Sequence, residues 1–184
     1  MISHLFTTDL LHAPSNISPD LLDSIVSWVD SQNITDVAAD GSRATIKGQQ
    51  YEPKGWPWQI MPMWNEIHTS LGPTVNTWAT NLDISTYKVK ITGYWFVWYD
   101  EGGYQEPHLH PGNQSGFTLI LGLKGSGDVL LHDPRGAAVK AGFKSIHKIT
   151  VNQGDVVIMP SWLIHSSAPS DNQRRIMVID GTVE

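Results

Sequence analysis

His108 and His110 stand one residue apart in EPHLHPGNQSG, within a chain that has eight histidines in all. On a β-strand, residues i and i+2 project to the same face, so this spacing aims two imidazoles at one point. Two ligands from one strand hold a metal weakly, and a third must come from elsewhere. His165 is the candidate, in GDVVIMPSWLIHSSAP, where a strand from Asp155 to Met159 ends at Pro160 and a short turn presents the ring. Three histidines leave coordination positions open for water, oxygen or substrate, as a catalytic metal requires. An H-x-H pair taken alone is more often a surface strand feature. The downstream G-x5-P-x-x-x-x-H and a later arginine shift the balance.

That arginine is Arg175, ten residues past His165 in the run RRIMVID. A guanidinium in an apolar strand is costly to bury unless it meets an anion. Neighbours on a strand face opposite ways, so one of Arg174 and Arg175 points inward, and Arg175 is the expected one. Glu106, two residues before His108, shares its face and is the alternative ligand.

Composition narrows the chemistry. The chain has no cysteine, which excludes disulfides, thiolate catalysis and cysteine zinc sites. A metal must then use His, Asp or Glu, which favours iron, zinc or manganese. A formal net charge of −6 argues against a nucleic-acid partner. No stretch is long and apolar enough to span a membrane. The opening MISHLFTTDLLH lacks the basic and apolar regions of a signal peptide, so a cytoplasmic location is expected.

The elements that must position these residues fall into two halves of one expected domain, 1–184. Residues 1–86 read as supporting helices and loops. Ser18-Pro19-Asp20 is a helix start, with a capping serine followed by proline at the first helical position. A second helix is expected from Pro62 to Leu71, stopped by Gly72-Pro73, and a third around Val75 to Leu82. A short strand is expected at Ala44 to Lys47. From Tyr87 onward, YKVKITGYWFVWYD, FTLILGL, DVLLHD, HKITV, DVVIMP and RIMVIDG are short strand-like runs. EGG, PGN, KGSG, PRG and NQG read as the turns between them. The expected fold is mainly β: a jelly-roll, cupin-like barrel over residues 87–184, braced by N-terminal helices. Eight tryptophans are many for this length; Trp56, Trp58 and Trp64 read as a brace between helices and barrel.

With these residues in place, the chain resembles the iron(II)/2-oxoglutarate-dependent oxygenases. More narrowly, YQEPHLHP…SG, DPR and PSWLIHSSAPSDNQRRI resemble a bacterial and phage group with H-x-H-P, D-P-R and P-S-W-L-x-H motifs. The likeness runs from about residue 91 to 180. It implies a double-stranded β-helix, iron(II) held by His108, His110 and His165, and 2-oxoglutarate as co-substrate. Arg175 would pair with the far carboxylate of that co-substrate; Thr118 would stand at its site where the family has an aromatic hydrogen-bonding residue, and Tyr99, or alternatively Tyr94, would supply a phenol. It implies molecular oxygen and a small-molecule or peptide substrate as partners, and is compatible with a homodimer. Two further departures stand out. The wider superfamily has a carboxylate where His110 stands, and the serine often found two residues after the arginine is Met177 here. For Asp133 and Arg135 a structural ion pair or turn is expected rather than catalysis.

Two other readings compete. A cupin-type three-histidine dioxygenase or isomerase would work without 2-oxoglutarate, but the cupin glutamate after H-x-H is missing. A non-catalytic jelly roll would use the tryptophans as a ligand platform.

Overall fold

Strand β4, Gly116–Lys124, is buried at every position except its last. Its sequence GFTLILGLK has apolar residues on both faces, so each face must meet a separate core. That need organises the molecule. The computed structural model describes residues 8–32, 45–82, 88–110, 116–135 and 145–183. The remaining strands are β1 (Leu11–Pro14), β2 (Thr45–Tyr51), β3 (Val89–His108), β5 (Gly127–His132), β6 (Ile146–Val151), β7 (Asp155–Pro160), β8 (His165–Ser167) and β9 (Arg174–Val183). They form one curled antiparallel sheet in the order β1-β7-β4-β9-β3-β8-β5-β6, with β2 paired to the side of β3. The fold is mainly β, a jelly roll, as expected.

Alternation along the strands separates the two cores. Phe117, Leu119 and Leu121 of β4, Val156 and Ile158 of β7, and Met177 and Ile179 of β9 face the helices, with Ile25, Ile67, Leu71 and Trp78. Ile120, Val157, Met159, Ile176 and Val178 face into the curl, with Val97, Tyr99, Val129 and Leu131.

Among the described residues, three helices lie on the outer side: α1 (Pro19–Asp30), α2 (Pro57–Ile60) and α3 (Trp64–Asn81). Ser18 caps α1, its hydroxyl accepting from Leu21 N–H at 3.2 Å, and Pro19 opens the helix. The break expected at Gly72-Pro73 does not occur. Helix α3 runs through it, because Trp64, Ile67, Leu71, Thr74 and Trp78 form one buried stripe at helical spacing. Burying that stripe outweighs the backbone hydrogen bond that proline cannot donate. The N-terminal half also supplies strands β1 and β2; the expected strand at 44–47 runs on to Tyr51, and Ala44 lies outside the described residues. Trp64 is buried and acts as the expected brace. Trp56 and Trp58 do not: they stack on each other at 5.1 Å and stay 42% and 53% exposed.

EGG, expected as a turn, lies inside β3. Before it, β3 pairs with β9 through Tyr99↔Arg174; beyond it, β3 pairs with β8 at Gln105↔Ser167 and His108↔His165. Gly102 takes a φ of +74°, and a Cβ on Gly103 would lie 2.4 Å from the Lys47 carbonyl oxygen. The glycines let one long strand turn a corner and change partner instead of ending.

The turn at NQG brings a second close approach. A Cβ on Gly122 would lie 2.1 Å from the Asn152 carbonyl oxygen. Gly122→Ala should therefore cost about 1–3 kcal/mol, read as a lower urea midpoint at unchanged m-value. A midpoint equal to that of the unsubstituted protein would contradict this packing.

Candidate metal centre

His108 ends β3 and His165 begins β8, and the two are directly opposite in the antiparallel pair. His110 lies two residues past His108, its backbone N–H donating to the Ser161 carbonyl at 3.0 Å, which ties it to the turn before His165. The ring centroids are 5.3 Å apart for His108–His110, 4.4 Å for His108–His165 and 5.0 Å for His110–His165. One nitrogen from each ring lies within 4.8 Å of the others. Among the described residues no carboxylate joins this group; the Glu106 side chain is exposed and outside it.

The partners of the rings fix which nitrogen is free. His108 Nδ1 sits 2.7 Å from the Glu106 carbonyl oxygen, and His165 Nδ1 sits 2.9 Å from that of Leu163. A carbonyl can only accept, so both Nδ1 atoms carry the proton. His110 Nδ1 is 2.9 Å from Asp180 Oδ1 and 2.9 Å from Thr118 Oγ1. The Thr118 hydroxyl donates to Asp180 at 2.7 Å, so its oxygen and the carboxylate both accept from His110. Each ring thereby keeps the Nε2 lone pair for a metal, with the tautomer set by its partner. The donor set fits a divalent transition metal.

Farther along the inner surface lies a cation, and here the expectation needs correcting. Arg175 faces outward and pairs with Asp30 at the end of α1. Arg174 is the inward one, only 2% exposed. The strand register decides this: Arg174 alternates with the inward Ile176 and Val178, and Arg175 with the outward Met177 and Ile179. Arg174 Nη1–H donates to Ser167 Oγ at 3.0 Å, and its guanidinium carbon is 5.5 Å from the Tyr99 ring centre. Its Nη2 is buried and has no partner among the described residues. A buried guanidinium with an unmet donor is a site for an anion. Gly127 makes room for it, since a Cβ there would lie 2.7 Å from Arg174 Cδ and 2.8 Å from Nη1. The unmet donor and the convergent imidazoles fit a metal with an acidic co-substrate between them.

Residues 93–179 match the model of the family described as "Putative 2OG-Fe(II) oxygenase". This stretch is similar to that family, as the resemblance of its motifs implies. No curated protein sequence matches the chain. Several solved structures share its fold. HygX from Streptomyces hygroscopicus, with nickel, 2-oxoglutarate and hygromycin B bound, superposes with a TM-score of 0.65 at 13% identity, over 96% of this chain and 83% of that one. AviO1 from Streptomyces viridochromogenes Tue57 gives 0.64 at 18% identity, over 95% and 90%. A prolyl hydroxylase from Trichoplax adhaerens, in complex with a hypoxia inducible factor peptide fragment, gives 0.63 at 12%, over 96% and 84%.

The other expected site residues of this oxygenase are distributed as follows. Tyr99 is buried beside Arg174, and its hydroxyl donates to Gln105 Oε1 at 2.9 Å. Thr118 was expected to serve the co-substrate; its hydroxyl instead turns to Asp180 and His110. Tyr94, the alternative phenol, faces the helices and donates to the Gly55 carbonyl. Asp133 and Arg135 form a local turn and ion pair, which holds the Asp133 carboxyl down at about 2. Gln105, Ser167, Gly127 and Asp180 were not singled out from the sequence. Of these, only Asp180 had a legible signal, an acid at the end of an apolar strand on the same face as Arg174.

Burial pushes the His165 imidazole down to about 3, assisted by His108 beside it, and burial also lowers His108. Both are therefore neutral in the folded, metal-free oxygenase where an ordinary imidazole would take a proton. The unfolded chain binds that proton below a pH of about 6.5 and the folded one does not. Stability of the metal-free protein should thus fall as pH drops from about 6.5, by up to roughly 1.4 kcal/mol per pH unit for each such group. His165→Ala should flatten the slope in urea titrations between pH 6.5 and 4. An unchanged slope would show that His165 is not held neutral.

Proposed function

We propose that His108, His110 and His165 hold the iron(II) of this oxygenase, and that Arg174 anchors the far carboxylate of 2-oxoglutarate. The observation that carries the assignment is the buried, unpartnered Arg174 Nη2 on the same inner surface as the three rings. It also favours 2-oxoglutarate chemistry over a cupin-type three-histidine reaction, which would offer that buried nitrogen no acceptor.

Iron(II) with 2-oxoglutarate and dioxygen supplies an oxidation in which the keto acid becomes succinate and carbon dioxide while one oxygen atom enters a substrate C–H bond. The chain's own residues bind, orient and exclude water. Backbone carbonyls of Glu106 and Leu163 lock two rings, and Trp95 packs edge-on against the third at 5.0 Å. Ser167 and the Tyr99 ring hold the guanidinium in place. Its planar fork suits a carboxylate, and the apolar surroundings strengthen that pairing. Tyr99 and Gln105 would line the co-substrate's far end. The substrate is a small molecule or a peptide; HygX and the prolyl hydroxylase, similar in fold, were solved with one of each.

Oxygen-dependent formation of succinate from 2-oxoglutarate, with iron(II) and a reductant, tests the reading. Arg174→Ala should weaken 2-oxoglutarate binding about 10- to 100-fold. Arg175→Ala should leave it within about twofold, and cost under about 1 kcal/mol of stability through its surface ion pair. His165→Ala should abolish turnover. Equal effects of the two arginine substitutions on the KM for 2-oxoglutarate would refute the assignment to Arg174.

A further inference from the structure

The inner face of β9 carries a second charged residue. Asp180 lies on the same face as Arg174, Ile176 and Val178, directly opposite Thr118 on β4. One of its oxygens, Oδ1, receives both the His110 Nδ1–H at 2.9 Å and the Thr118 hydroxyl at 2.7 Å. Its side chain is 21% exposed and that of His110 is 10% exposed. Among the described residues no lysine or arginine forms an ion pair with it. A carboxylate so placed, facing an imidazole and a hydroxyl, has no structural counter-charge to explain it.

The ligand set does explain it. Three neutral imidazoles bring no negative charge to a divalent metal. We propose that Asp180 is a positioning residue that supplies this charge through His110. It fixes the ring with its proton on Nδ1, makes Nε2 a stronger donor, and compensates the metal's charge from one shell out. Thr118 orients the carboxylate by donating to the same oxygen. Hydrogen bonding of a metal-ligating histidine to a carboxylate raises ligand basicity, and its loss weakens metal binding on the order of 10- to 100-fold. The role rests on the metal-centre reading above.

Cobalt(II) alone, without co-substrate, is the probe. Its affinity and its visible ligand-field absorption are measured for the full-length protein, Asp180→Asn, Asp180→Ala, His110→Asp and His110→Asp/Asp180→Asn. Both single substitutions at Asp180 should weaken cobalt by about 10- to 100-fold and shift the absorption. In the His110→Asp background the ligand itself is a carboxylate, and Asp180→Asn should no longer weaken binding. If Asp180→Ala fails to fold, the isosteric Asp180→Asn carries the comparison. Asp180→Asn binding cobalt as the unsubstituted protein does, or losing the same factor in both backgrounds, overturns the role of Asp180 and leaves the metal centre intact. An unsubstituted protein that binds no cobalt overturns the centre itself, and this role with it.

Discussion

The molecule depends on a sheet whose central strands are buried on both faces. A strand sends alternate side chains to opposite sides, so each apolar run must satisfy two environments at once. In β4, β7 and β9 one set of side chains packs under α1 and α3, and the other set lines the curl. The helices are therefore part of what makes the site. By covering the outer face they allow the inner face to carry a few polar groups in apolar surroundings. Strand β3 extends this surface around a corner, because its glycines let it leave β9 and join β8 without a break in the chain.

Within the curl the polar groups are few and ordered. Arg174 stands at one end of β9's inner face and Asp180 at the other, with only apolar residues of that face between them. Three imidazoles sit near the acidic end, each with Nδ1 engaged. Each ring's donor is satisfied by the protein, while the guanidinium's second nitrogen is not. In a low-dielectric interior an unmet donor is costly, and a carboxylate ligand would relieve that cost. The asymmetry points from the protein toward an acidic co-substrate, and it does so independently of any likeness to other chains.

The outward arginine shows how close the two alternatives are. Arg174 and Arg175 are adjacent, identical in type, and opposite in fate. One is sealed between Tyr99, Ser167 and Gly127; the other lies across Asp30 at the helix side. The spacing of ten residues from His165 picked the wrong one. In the folded sheet, parity with the inward Ile176 and Val178 marks position 174 as inward. Using that parity requires knowing which set of alternating residues faces the curl. Both sets are apolar here, so pattern alone is silent.

The amino-acid sequence by itself determined the strand-rich half, the cap of the first helix, and the two histidines that share a face, because these follow from local periodicity and turn chemistry. It also excluded sulfur chemistry outright. Only the tertiary structure decided that α3 passes through Gly72-Pro73, that EGG bends a strand instead of ending it, and that Thr118 serves Asp180. It alone decided which arginine is buried and that His165 closes on His108. Those outcomes depend on partners far away in the chain, and a contact between distant segments leaves no trace in the local order of residues.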